Sequence, residues 1–138
     1  MAISGNHSLS KHYNEKSEVG VLSSNLFYVG DTGRVNANGH PIEALYCTDL
    51  NDRTMELIEG VEFLQVSYGL KENIHQFLSA DKVTNWQSVA KIRVSLLLNS
   101  IEDGLLEPKK YHINDLEIIP QDRLLRKWWT FEYAIKRI

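Results

Sequence analysis

"EGVEFLQVSYGL", Glu59 to Leu70, is the stretch whose reading decides the fold. With Leu57 and Ile58 in front, apolar residues at 57, 58, 61, 64 and 68 trace a helical stripe. By alternation, Leu64, Val66 and Tyr68 point one way, and Gln65 and Ser67 the other. Gly60 is a poor helix residue, whereas Val61, Phe63, Val66 and Tyr68 favour extended backbone. The pattern predicts strands over Thr54–Ile58 and Val61–Leu70 with a break or bulge near Gly60, and leaves a helix as the alternative.

The neighbouring segments favour the strands. "NLFYVG", Asn25 to Gly30, is aromatic and β-branched. "DTGRVNANGH" is dense in turn formers. "PIEALYCTD", Pro41 to Asp49, then alternates Ile42, Ala44 and Tyr46 against Glu43, Leu45 and Cys47. Two strand patterns about Asn38-Gly39 predict a hairpin. "LNDRT" is a second turn candidate. Downstream, Asp81 and Asn85 are candidate helix caps in an otherwise undecided stretch. In "AKIRVSLLLNS", Ile92, Val94, Leu96 and Leu98 alternate with Arg93, Ser95, Leu97 and Asn99, a strand with one face in the core. "IEDGLLEPKKYHINDLEIIPQ" reads as a long loop. In the closing "RKWWTFEYAIKRI", Trp129, Phe131, Tyr133 and Ile135 share one strand face; Trp128, Thr130, Glu132 and Ala134 share the other. Residues 1–24 are polar and weakly patterned, which predicts a poorly ordered start with one short strand near Val19–Leu22. The expected fold is α+β, mainly antiparallel sheet with little helix, in one domain over residues 25–138. A sheet with an aromatic-rich face needs cover, from another segment or from a partner.

Composition narrows the function. With 138 residues, 43% hydrophobic and 24% charged, the chain is the size of one globular domain. A formal net charge of −3 argues against a dedicated nucleic-acid binder. Arg123, Arg126, Lys127, Lys136 and Arg137 do gather near the end, as a solvated strand face would. Cys47 is the only cysteine, so no intramolecular disulfide and no Cys-based zinc site can form; a half-buried strand position suits it. No segment is apolar over the roughly 18 residues that a membrane helix needs.

No motif carries covalent chemistry. His7, His12, His40, His75 and His112 make no metal-spaced pair, and HExxH is absent. "RVNANGH" has part of a calcium-loop register but places Arg34 and Leu45 where acids belong, so it reads as a turn. No phosphate loop and no G-x-S-x-G elbow occur. The chain reads as a non-enzyme without cofactor or metal. Trp86, Trp128, Trp129 and Tyr133 are the candidate protein-interface residues, because adjacent tryptophans on a strand face opposite ways and such side chains anchor interfaces. Sugar stacking and cover from within the chain stay open as alternatives.

Three segments carry a family resemblance. "FYVGDTGRVNANGHPIEALYCTD" is similar to a pattern of strand, T-G-R, N, G, P and A-L-Y. "ELIEGVEFLQVSYGL" resembles E-G-V-E-x-L-Q-V-x-Y-G. "FLSADKVTNWQSVAKIRVSLLLNS" resembles V-x-x-W-x-x-V-x-x-V-R-x-S-L-L-x-x-S, and "DRLLRKWWTFEYAIKRI" fits D-x-x-L-R before an aromatic strand. Together they resemble PilW-type minor pilins of type IV pili, relatives of the GspJ/PulJ-type pseudopilins of type II secretion. The resemblance implies a pilin-like head domain, normally preceded by an apolar N-terminal helix that anchors the subunit in the inner membrane and covers one sheet face. That leader and helix are not in this sequence, which reads as the soluble head alone. The implied function is non-enzymatic participation in pilus assembly or priming, with the tip as candidate position. The implied partners are other minor pilins and the major pilin. The head would lie in the periplasm before assembly and on the surface pilus afterwards. Alternatives are a type II secretion pseudopilin, and a tip adhesin for a glycan or surface.

Overall fold

In the computed structural model, residues 14–18, 20–113 and 116–136 are described. Among the described residues, nine strands run in the order β1 (Asn25–Val35), β2 (Pro41–Asp49), β3 (Thr54–Glu59), β4 (Val61–Leu70), β5 (Asn73–Leu78), β6 (Val89–Asn99), β7 (Tyr111–Ile113), β8 (Leu116–Ile118) and β9 (Arg126–Ala134). They form an antiparallel sheet β1-β2-β3, an antiparallel sheet β5-β4-β6-β9 and a small β7-β8 hairpin. The only helices among the described residues are two single 3-10 turns, Ala80–Lys82 and Trp86–Ser88. No helix of the described residues is long and apolar enough to cross a membrane.

The opening stretch is strand, and Gly60 is its pivot. Its φ is +77°, a conformation that glycine adopts without strain. Its N–H donates to the Glu43 carbonyl on β2 at 2.8 Å, and its carbonyl accepts the Asn99 N–H on β6 at 2.8 Å. One residue is thus hydrogen-bonded into both large sheets, and the chain leaves an edge strand of the first to enter an inner strand of the second. The step sets Val61, fully buried, beside Leu45 and Leu96, with Val29, Leu64 and Leu98 packed around them.

Arg126 secures this joint from the β9 side. Its side chain is only 6% exposed. Nη1 and Nη2 donate to the two Asp122 carboxylate oxygens at 2.8 Å, and Nε donates to Glu62 Oε2 at 2.8 Å. Glu62 Oε1 accepts from Asn99 Nδ2 at 2.8 Å. The Tyr111 hydroxyl accepts the Arg126 N–H at 3.1 Å and donates to the Leu124 carbonyl at 3.3 Å. The ends of β4, β6 and β9 and the β7 strand therefore meet around Arg126, through its guanidinium and its backbone N–H. A third tie is Asn36, whose Oδ1 accepts the N–H groups of Asn38 and His40 while its Nδ2 donates to the Ile101 carbonyl at 2.9 Å.

Several expectations need correction. The turn-rich "DTGRV" continues β1 to Val35, with a register shift between Asp31 and Val35. Asp31 Oδ1 accepts the Gly33 N–H and the Thr32 hydroxyl donates to the Ile42 carbonyl, so side chains replace ladder bonds there. The undecided stretch contains β5, and the long loop contains β7 and β8. Asn85 does cap a 3-10 turn, its side chain accepting the Gln87 N–H at 3.1 Å. Asp81 lies inside the other turn, whose cap position is Ser79. Residues 20–24 carry no strand, while residues 1–13 and Val19 lie outside the described residues. Cys47 is half-buried on β2, as expected.

Two stability predictions follow from the joint. A Cβ at position 60 would sit 3.1 Å from the Asn99 carbonyl oxygen and 3.1 Å from Ile101 Cγ1. Gly60→Ala should cost roughly 2 kcal/mol through strain and crowding; an unchanged denaturation midpoint would contradict this. Arg126→Met strands two carboxylates and should cost about 3 kcal/mol or more, whereas Arg34→Ala, which removes solvent-exposed pairs to Glu56 and Glu59, should shift the midpoint far less.

Acid titration provides a third. Hydrogen bonds from Arg126 hold the Asp122 carboxyl below its ordinary value of 3.8. A depressed carboxylate stabilises the fold above its unfolded pKa and loses that contribution as pH falls through the folded value. Glu43, raised by burial, works in the opposite sense. The stability gap between the parent and Arg126→Met should therefore narrow from about pH 6 to about pH 2.5 in urea titrations. A constant gap would contradict the Asp122 assignment.

Candidate functional site: an open apolar sheet face

The register of the four-stranded sheet fixes which side chains share a face. Leu64, Leu96 and Trp129 lie side by side, as do Val66, Val94 and Phe131, and then Tyr68, Ile92 and Tyr133. Directly opposed residues in antiparallel strands point the same way. These nine side chains make a face with no formal charge. Phe27 and Leu45 of the three-stranded sheet extend it, leaving between the sheets an apolar groove of about 460 Å³.

Much of this face is open. Trp129 is 43% exposed, Phe131 40% and Tyr133 58%. Val66, Phe27 and Ile135 are exposed as well. Trp129 stacks on Phe131 with ring centroids 6.0 Å apart, and Lys127 Nζ lies 4.8 Å from the Trp129 ring centroid. Scattered exposed apolar residues are ordinary on a protein surface, but a contiguous aromatic patch marks an interaction surface.

The four residues singled out in the sequence divide between faces. Trp129 and Tyr133 are on the open apolar face. Trp86 is 52% exposed and meets Tyr68 edge-on at 4.8 Å, which puts it at the margin of that face. Trp128 is on the reverse face, half-buried and stacked on Phe63 at 6.0 Å. The sequence split of Trp128 from Trp129 thus holds, but the four do not form one patch. The joining residues Phe27, Leu64, Val66 and Val94 were not singled out. Their alternation is visible in each strand; the pairing order that unites them is not.

The charge that meets this surface is Lys127, over the Trp129 ring at one end. Among the described residues, no group of three or more His, Cys, Asp or Glu side chains is placed to hold a metal ion. The perturbed carboxylates have structural partners. Glu132 is held below its ordinary value by hydrogen bonds from Arg93, and Glu56 by those from Arg34.

The segments that carried the family resemblance are the joints of this fold. The T-G-R arginine, Arg34, pairs with Glu59 of E-G-V-E; Gly60 is the pivot; Glu62 meets Arg126, which D-x-x-L-R sets bidentate on Asp122. No curated protein and no solved structure matches the chain significantly. A family model does match over residues 26–135, from β1 to just past β9, and the chain belongs to that family: type IV pilus-assembly protein W, PilW.

Proposed function

We infer from its membership of this family that the chain acts in type IV pilus assembly, in association with other pilus components at the cell envelope or pilus. We propose that it is the head of a non-enzymatic minor pilin whose open sheet face packs on an α-helix. That helix is the anchoring helix preceding the head, first in the inner membrane with the head in the periplasm and then in the pilus. From that position the head contacts other minor pilins and the major pilin, priming polymerisation at the tip.

The uncharged, aromatic face of the four-stranded sheet carries this reading. It is wide, continuous across three strands and into the second sheet, and has the chemistry of a surface that accepts an amphipathic helix. Fully burying a large apolar side chain contributes roughly 1.5–3 kcal/mol; Phe131 and Tyr133, 40% and 58% exposed, have between them about one such side chain left to bury, worth a factor of about 10–10² in association.

A chromosomal Phe131→Ser/Tyr133→Ser double variant tests it. Both side chains are already well exposed, so the head should remain folded and present. Surface pili and twitching should fall to the level of a clean deletion strain. Normal piliation in the double variant or in the deletion would contradict the proposal; a secretion defect with intact pili would point to the pseudopilin alternative.

A further inference from the structure

We propose that the reverse face of the four-stranded sheet carries a binding groove for a neutral oligosaccharide. Opposite the apolar face, β4, β5, β6 and β9 enclose a concavity of about 240 Å³ between the rings of Phe77 and Trp128. This is just below the roughly 300–1,000 Å³ of drug-sized sites and suits a short saccharide. Trp128 is steadied from behind by its stack on Phe63. It offers an aromatic surface to the C–H face of a sugar ring, which is apolar while its rim is polar.

The polar lining matches that rim. Gln65, Ser67 and Thr130 line the groove. Thr130 shares a hydroxyl contact with Ser95 at 3.2 Å. Gln65 and Ser67 make no side-chain hydrogen bond to another described residue, so their amide and hydroxyl are available to solvent or ligand. An amide presents a donor and an acceptor, and a hydroxyl can act as either, which is the complement of adjacent sugar hydroxyls.

The Arg93 charge that lines the groove is paired with Glu132, a carboxylate it shares with Lys91. The Arg93 guanidinium lies 3.6 Å from the Phe77 ring centroid, and its Nε and Nη2 donate to Glu132 Oε1 at 3.1 and 2.7 Å. Lys91 Nζ is 3.8 Å from the other Glu132 oxygen. A cationic ligand would meet the excess positive charge of two cations on one carboxylate, whereas an uncharged one leaves the pairing intact. The groove's outward orientation rests on the pilin-head reading, because a helix on the apolar face leaves this face to the exterior. Binding itself can be measured without that reading.

The test is titration of the purified chain with lactose, cellotetraose, maltotetraose and chitotetraose, followed by amide chemical shifts and tryptophan fluorescence. At least one should bind saturably, with shifts centred on Gln65, Ser67, Trp128 and Thr130. Gln65→Ala and Ser67→Ala should each weaken binding about fivefold, the equivalent of one lost hydrogen bond. Arg53→Ala, in a turn of the other sheet, should leave it unchanged. Because Trp128→Ala also removes packing against Phe63, the two polar variants decide the case. No saturable binding across the panel, binding indifferent to both polar variants, or shifts confined to the apolar face would overturn the proposal. The piliation phenotype would stand independently of any of these outcomes.

Discussion

One glycine conformation sets the geometry on which the rest of the structure depends. At Gly60 the backbone turns through φ +77°, its N–H bound to one sheet and its carbonyl to the other. A residue with a Cβ would be strained there and would crowd Asn99 and Ile101. Because the chain changes sheet within a single residue, Val61 enters the core at once; the register shift between Val61 and Phe63 then brings Leu64 to the same side, and the alternation beyond it sends Val66 and Tyr68 to that face and Gln65 and Ser67 to the other. Both surfaces proposed to act, the helix-accepting face and the polar groove, inherit their composition from that phase. A one-residue slip would exchange them.

Arg126 maintains this phase from the neighbouring β9, at the same end of the sheet. Breaking a buried ion network leaves unpaired charges and is expensive, so it acts as a registry device more than as a source of net stability. Arg34 with Glu56 and Glu59 has similar chemistry in solvent, where screening makes such pairs weak. Electrostatics in this protein fastens the joints and, through Arg93, Glu132 and Lys91, part of the reverse face, while the open face is left to apolar chemistry.

Legibility in the sequence followed local periodicity. The bounds of β2 and β4 could be read because Pro41 and Gly60 punctuate clean alternations, and β6 and β9 because each has an apolar and a more polar face. β5 escaped notice because Asn73–Gln76 is an edge segment exposed on both sides and shows no period of two. β7 and β8 are only three residues each, too short to make a pattern. The partners of Arg126 could not be inferred, since Glu62 lies 64 positions away. The aromatic face was half visible: Trp129, Phe131 and Tyr133 could be grouped, but their union with Val66 and Phe27 required the strand order. The polar groove was invisible for the same reason, as its walls come from β5 and β9, at opposite edges of the sheet.

The four-stranded sheet is thus asymmetric by construction of its strands, with one apolar side and one polar side. The most direct test of this central claim is site-specific photo-cross-linking in piliated cells, with p-benzoylphenylalanine at position 131 and, separately, at position 130. The account predicts that position 131 cross-links to an apolar α-helix, of its own chain or of a neighbouring pilin, and that position 130 does not. Cross-links to such a helix from position 130, or none from position 131 in assembled pili, would contradict it.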